Sequence, residues 1–214
     1  MKKMIALVSS LLFVTMVSVK AETGIGITGA FHMIDGSGTE TTRNSGQKNN
    51  GSHDESVVVP ELFLESINDN GLTIGISYIP TRDMGSKARS DTNSEGDTGT
   101  YTAKAELSNV LQFYTDIPAG EVAGYATHVK LGIQRVTIDT LETLNSGSTY
   151  PNKDLLGFTI GYGMKGDLPM GDNLYYKGEL TYTNFERYEA TSTGNKVEAD
   201  LEDYAAKFSI GYKF

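Results

Sequence analysis

Hydrophobic residues alternate with small or polar ones along most of the chain, and the alternation is cleanest at its end. In 204–214 the even positions Tyr204, Ala206, Phe208, Ile210, Tyr212 and Phe214 are apolar, while Ala205, Lys207, Ser209, Gly211 and Lys213 are small or charged. A period of two is that of a β-strand with one greasy face and one polar face. The same period predicts seven earlier strands, at 22–33, 57–67, 72–79, 100–115, 121–138, 154–165 and 173–185. On one face they carry Ile25, Ile27, Phe31 and Met33; Leu62 and Leu64; Ile74, Ile76 and Tyr78; Tyr101, Leu107, Leu111 and Phe113; Tyr125, Val129, Leu131 and Ile133; Phe158, Ile160, Tyr162 and Met164; Leu174, Tyr176, Leu180 and Tyr182. Pro60 and the unbroken Val57-Val58-Val59 predict an irregular rim at the start of the second strand, where a missing N–H is tolerated.

The connections alternate in length. Segments 34–56, 81–99, 139–153 and 186–200 are long and polar, whereas 68–71, 116–120 and 166–172 are short turns. Eight strands with this asymmetry predict an all-β, antiparallel up-and-down transmembrane barrel of the outer-membrane type, with short periplasmic turns, four long extracellular loops and both termini periplasmic. Spacing agrees. Tyr101 and Phe113 are roughly 30 Å apart along the membrane normal at ~3.3 Å per residue and ~40° tilt, and Tyr204 and Phe214 roughly 25 Å, near the height of an apolar band edged by aromatics. Tyr101, Phe113, Tyr125, Tyr176 and Tyr204 are the expected girdle, since the chain has no tryptophan. The alternative is a soluble eight-stranded barrel such as a lipocalin, with its apolar face turned inward.

The first segment changes the compartment. Lys2 and Lys3 precede an apolar run from Met4 to Val19, and Val19-Lys20-Ala21 places small residues before Glu22. This is the pattern of a secretory signal peptide, 1–21, cleaved between Ala21 and Glu22, with 22–214 as one barrel domain. Cleavage removes three of the 18 basic residues and leaves 15 against 27 acidic, a net charge of −12, which excludes nucleic acid as a partner. Without cysteine there is neither a disulfide framework nor a thiolate metal site.

The polar faces gather Glu61, Glu65, Lys104, Glu106, His128, Lys130, Lys177, Glu179, Asp203 and Lys207 in the lumen. Eight strands leave room for side chains to fill the interior, so the first expectation is an ion-paired network, with Glu179 near Lys207 and Glu106 near His128 and Lys130. A narrow conduit is the sharper alternative, because several strands contribute mainly Gly, Thr and Ser inward. His32, His53 and His128 stand in no nucleophile motif, so no enzymatic site and no cofactor is expected. His53-Asp54-Glu55 and Asp91, Glu95 and Asp97 fit no defined metal loop and read as a solvated surface.

Alternation, loop order and the terminal Tyr212-Lys213-Phe214 together resemble the small eight-stranded outer-membrane proteins: opacity-type proteins, the OmpA membrane domain, and the OmpX and OmpW groups. The resemblance implies residence in the outer membrane of a Gram-negative bacterium, contact with its lipid, and recognition of Tyr212 and Phe214 by the barrel-assembly machinery. It also implies a structural, surface-exposed role, with acidic loops available for adhesion or another surface contact. The alternatives are a narrow porin or a path for small or hydrophobic ligands and, more remotely, a lipid-modifying enzyme.

Overall fold

The computed structural model describes residues 21–42, 46–92, 98–141, 150–169, 171, 173–192 and 195–214. Residues 1–20 of the expected leader, 1–21, lie outside them, and Ala21 is the first residue of a strand. The described residues form ten strands: β1 (Ala21–Thr42), β2 (Lys48–Asn68), β3 (Thr73–Ile79), β4 (Arg82–Thr92), β5 (Thr98–Val122), β6 (Tyr125–Thr140), β7 (Lys153–Asp167), β8 (Leu174–Phe185), β9 (Tyr188–Thr191) and β10 (Asn195–Lys213). Neighbours in the sheet run β1-β2-β3-β5-β6-β7-β8-β10, and β10 pairs back onto β1 to close the ring. Strand β4 lies only on β5 and β9 only on β10, so β3 with β4 and β8 with β9 are interrupted staves of an eight-stave barrel.

The alternation sets which side faces out. Ile27, Leu62, Phe158, Leu180 and Phe208 are exposed, while Glu61, Glu65, Lys130 and Lys177 are buried. That polarity is the reverse of a soluble barrel and leaves an unbroken apolar belt outside.

Where long loops were expected, the strands continue. Strand β1 pairs with β2 through Thr41↔Lys48 and with β10 through Thr42↔Asn195, so most of 34–56 is a β-hairpin. Likewise β4 occupies part of 81–99 and β9 part of 186–200. Polar hairpins need no apolar period to form, because the ladder satisfies their backbone and water covers both faces. The fifth connection also moves: β5 runs past Pro118 to Val122, and the turn is Ala123-Gly124, both with positive φ (53° and 83°).

The largest correction lies within β5. Asn109 adopts φ 51° at a register shift between Ser108 and Leu111, and this one-residue bulge reverses the parity. Phe113 remains outside, but Leu107 turns inward and is fully buried. Lys104 and Glu106 therefore turn away from the lumen. Phe113 lies opposite Ile76 and Ile133, mid-belt rather than at an edge, and the side chain of Tyr101 is outside the described residues. The spacing estimate built on that pair does not survive the bulge.

Inward glycines let rings fold into the wall. A Cβ on Gly26 would collide with the Phe63 ring and the Ile210 carbonyl oxygen. Gly26→Ala is accordingly expected to cost about 1–3 kcal/mol by overpacking, read as a lower urea midpoint for unfolding in lipid; an unchanged midpoint would show that Phe63 repacks freely.

Candidate functional site: the lumen and its seam

In the short-turn half of the barrel the interior is a packed ion network. Lys177 on β8 donates to Glu65 on β2 (2.6 Å) and stands 3.5 Å from Asp116 on β5. Lys130 on β6 lies 2.7 Å from Asp116 and 3.1 Å from Glu179, and its ammonium sits 3.5 Å over the Tyr114 ring. His128 places Nε2 2.8 Å from Glu179, and the Tyr175 hydroxyl donates to Glu65 at 2.7 Å. All these groups are buried, which is tolerable only because each charge faces an opposite one. Asp116, His128 and Glu179 also bring potential metal-ligand atoms within 4.8 Å of one another, but the Lys130 ammonium occupies the position between the carboxylates.

One level towards the long hairpins, a second group forms. Lys207 on β10 donates to both Glu61 oxygens (2.8 and 3.0 Å). His32 on β1 sets Nε2 3.1 Å from Glu61 and Nδ1 2.9 Å from Asp203. Arg82, the first residue of β4, crosses the interior to donate from Nη2 to Asp203 (3.0 Å), with Nη1 2.9 Å from His32 Nδ1. Between the two groups the free space is about 10 Å³, ringed by Glu61, Tyr114, Lys130, Lys177, Glu179 and Lys207. That space is at most about one water.

Beyond the second group the interior turns apolar. Ile34, Val59, Ile79, Leu107, Val110, Val136, Ile138, Leu155, Phe185, Tyr188 and Leu201 form one buried cluster. Above it opens a cavity of about 320 Å³, with Ile34, Met84, Ala105 and Ala199 below and His53, Glu55 and Lys104 at its edge.

The wall beside this cluster has a seam. Strand β2 pairs with β3 only from Ile67↔Thr73 to Leu62↔Tyr78, while β2 itself runs on to Lys48 along β1. Two residues beyond Leu62↔Tyr78 the same register sets Pro60 against Pro80. Neither proline has an N–H to donate, and β4 resumes on β5 alone. Among the described residues no backbone hydrogen bond joins β2 to β4. The irregularity expected at Pro60 is thus on its β3 side, its pairing with β1 being continuous. Side chains close the gap: His53 and Glu55 lie against Gly85, and Met84 packs on the apolar cluster.

Of the expected lumen residues, Glu61, Glu65, His128, Lys130, Lys177, Glu179, Asp203 and Lys207 are inside. Lys104 and Glu106 are instead at the rim, where Lys104 bridges Asp83 (3.1 Å) and Glu106 (3.3 Å). Glu106 faces Asp139 in register; His128 and Lys130 both meet Glu179, and Lys130 also meets Asp116. Lys207 and Glu179 do stand opposite each other in the ladder, yet Lys207 bonds Glu61. Arg82, Asp116 and His32 complete the network; the first two fall in 81–99 and 116–120, whose composition predicts a loop and a turn. At the rim, hydrogen bonding with Asp54 and its charge, with Glu202 on the other flank, hold the Asp35 carboxyl above its ordinary range, while a hydrogen bond from Lys104 holds Asp83 below it. Of the expected girdle, Tyr125 stands beside a short turn and Tyr204 packs on Tyr182 with ring centres 4.9 Å apart; Tyr176 stacks on Phe208. Phe214 is exposed and exchanges backbone hydrogen bonds with Thr23. Glu95 and Asp97 of the acidic loop set lie outside the described residues, as does the side chain of Asp91.

No protein-family model and no curated protein sequence matches the chain. Among solved structures, the crystal structure of the outer membrane protein OprG from Pseudomonas aeruginosa is similar with TM-score 0.54 and 14% identity, over 92% of this chain and 98% of that one. The solid-state NMR structure of outer membrane protein AlkL in DMPC lipid bilayers has TM-score 0.50 and 11% identity, over 92% and 91% respectively. At such identities the likeness shows the fold. It is the fold of Gram-negative outer-membrane β-barrels, and the exposed apolar belt is the surface that meets lipid.

Proposed function

We propose that the barrel takes small apolar or amphiphilic molecules into the cavity at its long-hairpin end and releases them sideways through the β2–β4 seam into the bilayer. The observation that carries this is the conjunction of a seam with an apolar interior directly above a filled polar layer. A solute entering from the hairpin end meets greasy side chains, then ion pairs it cannot displace cheaply, and the unpaired wall is the remaining way out. In this reading the hairpins face the exterior, the short turns and both termini face the periplasm, and Tyr212 and Phe214 present the exposed aromatic end to the assembly machinery. The geometry favours this over an open porin and calls for no catalytic group. The row Asp54, Asp35 and Glu202, side by side on β2, β1 and β10, supports a second role in surface contact.

Titration of a fluorescent apolar probe into the protein in lipid nanodiscs tests the reading, with no tryptophan to interfere. Saturable binding is expected. Ala105→Phe, which fills the cavity, should weaken it about tenfold, or ~1.4 kcal/mol. Planar-bilayer recordings should show no conductance steps; steady ion conduction with no probe binding would replace the proposal with a porin.

A further inference from the structure

The side chain of Arg82 ties the far edge of the seam to the opposite wall. Strand β4 has backbone pairing only with β5, so nothing in the ladder holds it towards β2. From its first residue the guanidinium passes through the interior behind β2, reaching Asp203 on β10 and His32 on β1. It is buried, and its Nε–H has no hydrogen-bond partner. A buried donor left unpaired weakens the arrangement that holds it.

The imidazole of His32 decides how firmly the tie holds. Its Nε2 faces Glu61 of β2, its Nδ1 faces both carboxylate oxygens of Asp203 of β10 (3.0 and 2.9 Å), and Nη1 of Arg82 stands against the ring, 2.9 Å from Nδ1 and 3.2 Å from Nε2. One ring nitrogen cannot accept from Arg82 and donate to Asp203 at once. With the proton on Nε2, that nitrogen donates to Glu61, Nδ1 accepts from Arg82, and Arg82 covers Asp203 through Nη2. With both nitrogens protonated, Nδ1–H takes Asp203 for itself and meets Arg82 donor to donor and charge to charge. Lys207, bonded to Glu61, adds a further positive charge facing the imidazolium. The remaining groups in contact with the ring, Glu61 and Asp203, can hold the imidazolium without Arg82.

We propose that His32 and Arg82 form a proton-operated latch, in which protonation of His32 expels Arg82 and frees β4 to open the seam. The inference rests on reading the seam as the exit path. Acid should loosen the β4 edge and leave the lower ion network closed.

The absence of cysteine permits a direct measurement. Spin labels on Ser56→Cys of β2 and Ser86→Cys of β4, both exposed, report the width of the seam in nanodiscs. The distance should lengthen as pH falls from neutral to about 5. His32→Gln should abolish that response. Arg82→Met should give the long distance already at neutral pH, provided it retains heat-modifiable mobility; if it does not fold, His32→Gln alone decides. A pH-independent distance in the parent chain, or an undiminished response in His32→Gln, overturns the latch. Probe uptake measured on the same samples separates the two ideas. Uptake with an unresponsive seam removes the latch and keeps the exit path, whereas a responsive seam without uptake keeps the latch and removes the exit.

Discussion

Replacing Lys177 with methionine is expected to lower the stability of the folded barrel by about 3–5 kcal/mol, read as a fall in the urea midpoint in lipid at unchanged slope. Methionine matches the length of the lysine stem, so the packing against Phe63, over whose ring the ammonium sits at 4.7 Å, is largely kept. What is lost is the charge. Glu65 would then lose its ion-pair partner, and Asp116 and Glu179 would share the ammonium of Lys130, in a layer with room for about one water. The companion change Glu65→Gln removes one carboxylate and leaves an amide that the Tyr114 and Tyr175 hydroxyls can still reach. The double variant should therefore recover 0.5–3 kcal/mol relative to the sum of the singles, roughly the range seen for coupled neighbours. If Lys177→Met costs under about 1 kcal/mol, water enters the layer, and the reading of the lumen as closed falls with it.

Such coupling is what makes the interior readable only in part from the chain. Parity alone places Glu61, Glu65, Lys177, Glu179 and Lys207 inside, because a strand with one face in lipid tolerates charge on the other face only. Their partners are less legible. Ladder neighbours suggested Lys207 with Glu179, and the register bears that out. Even so, in a lumen this narrow a lysine reaches past the adjacent strand. Lys207 stands opposite Ala30 and Glu61 opposite Thr28, and these small side chains on β1 leave the way open for a 2.8 Å contact between β10 and β2. Asp116 follows Gln112 and Tyr114 in step, but Ile117-Pro118-Ala119-Gly120 carries turn residues, and the true reversal is the positive-φ pair Ala123-Gly124. Lys104 and Glu106 go astray through a single residue. Asn109 tolerates the left-handed conformation better than most side chains, and the bulge it makes turns every later inference about that arm of β5 inside out.

The two prolines are the seam's covalent cause, and restoring their donors should seal its lower end. In Pro60→Thr/Pro80→Thr both positions regain an N–H, and the ladder that stops at Leu62↔Tyr78 can extend by one or two hydrogen bonds at about 0.5–1.5 kcal/mol each. Extension beyond that point is opposed by the chain itself. Continued alternation from Ile79 would turn Thr81 inward, yet Arg82 is the buried residue, so the face of the stave slips between β3 and β4. Sealing is confined to the stretch beside Val59 and Ile79, where the apolar cluster meets the wall. Amides of 59–62 and 78–82 should exchange about tenfold more slowly in the double variant, and delivery of an apolar probe from the cavity to the bilayer should slow to a similar degree. Probe binding should be unchanged, because the cavity above is lined by other residues. Slowed exchange with undiminished delivery would mean that molecules leave by another path, and the seam would then be a consequence of the two prolines without a part in transport.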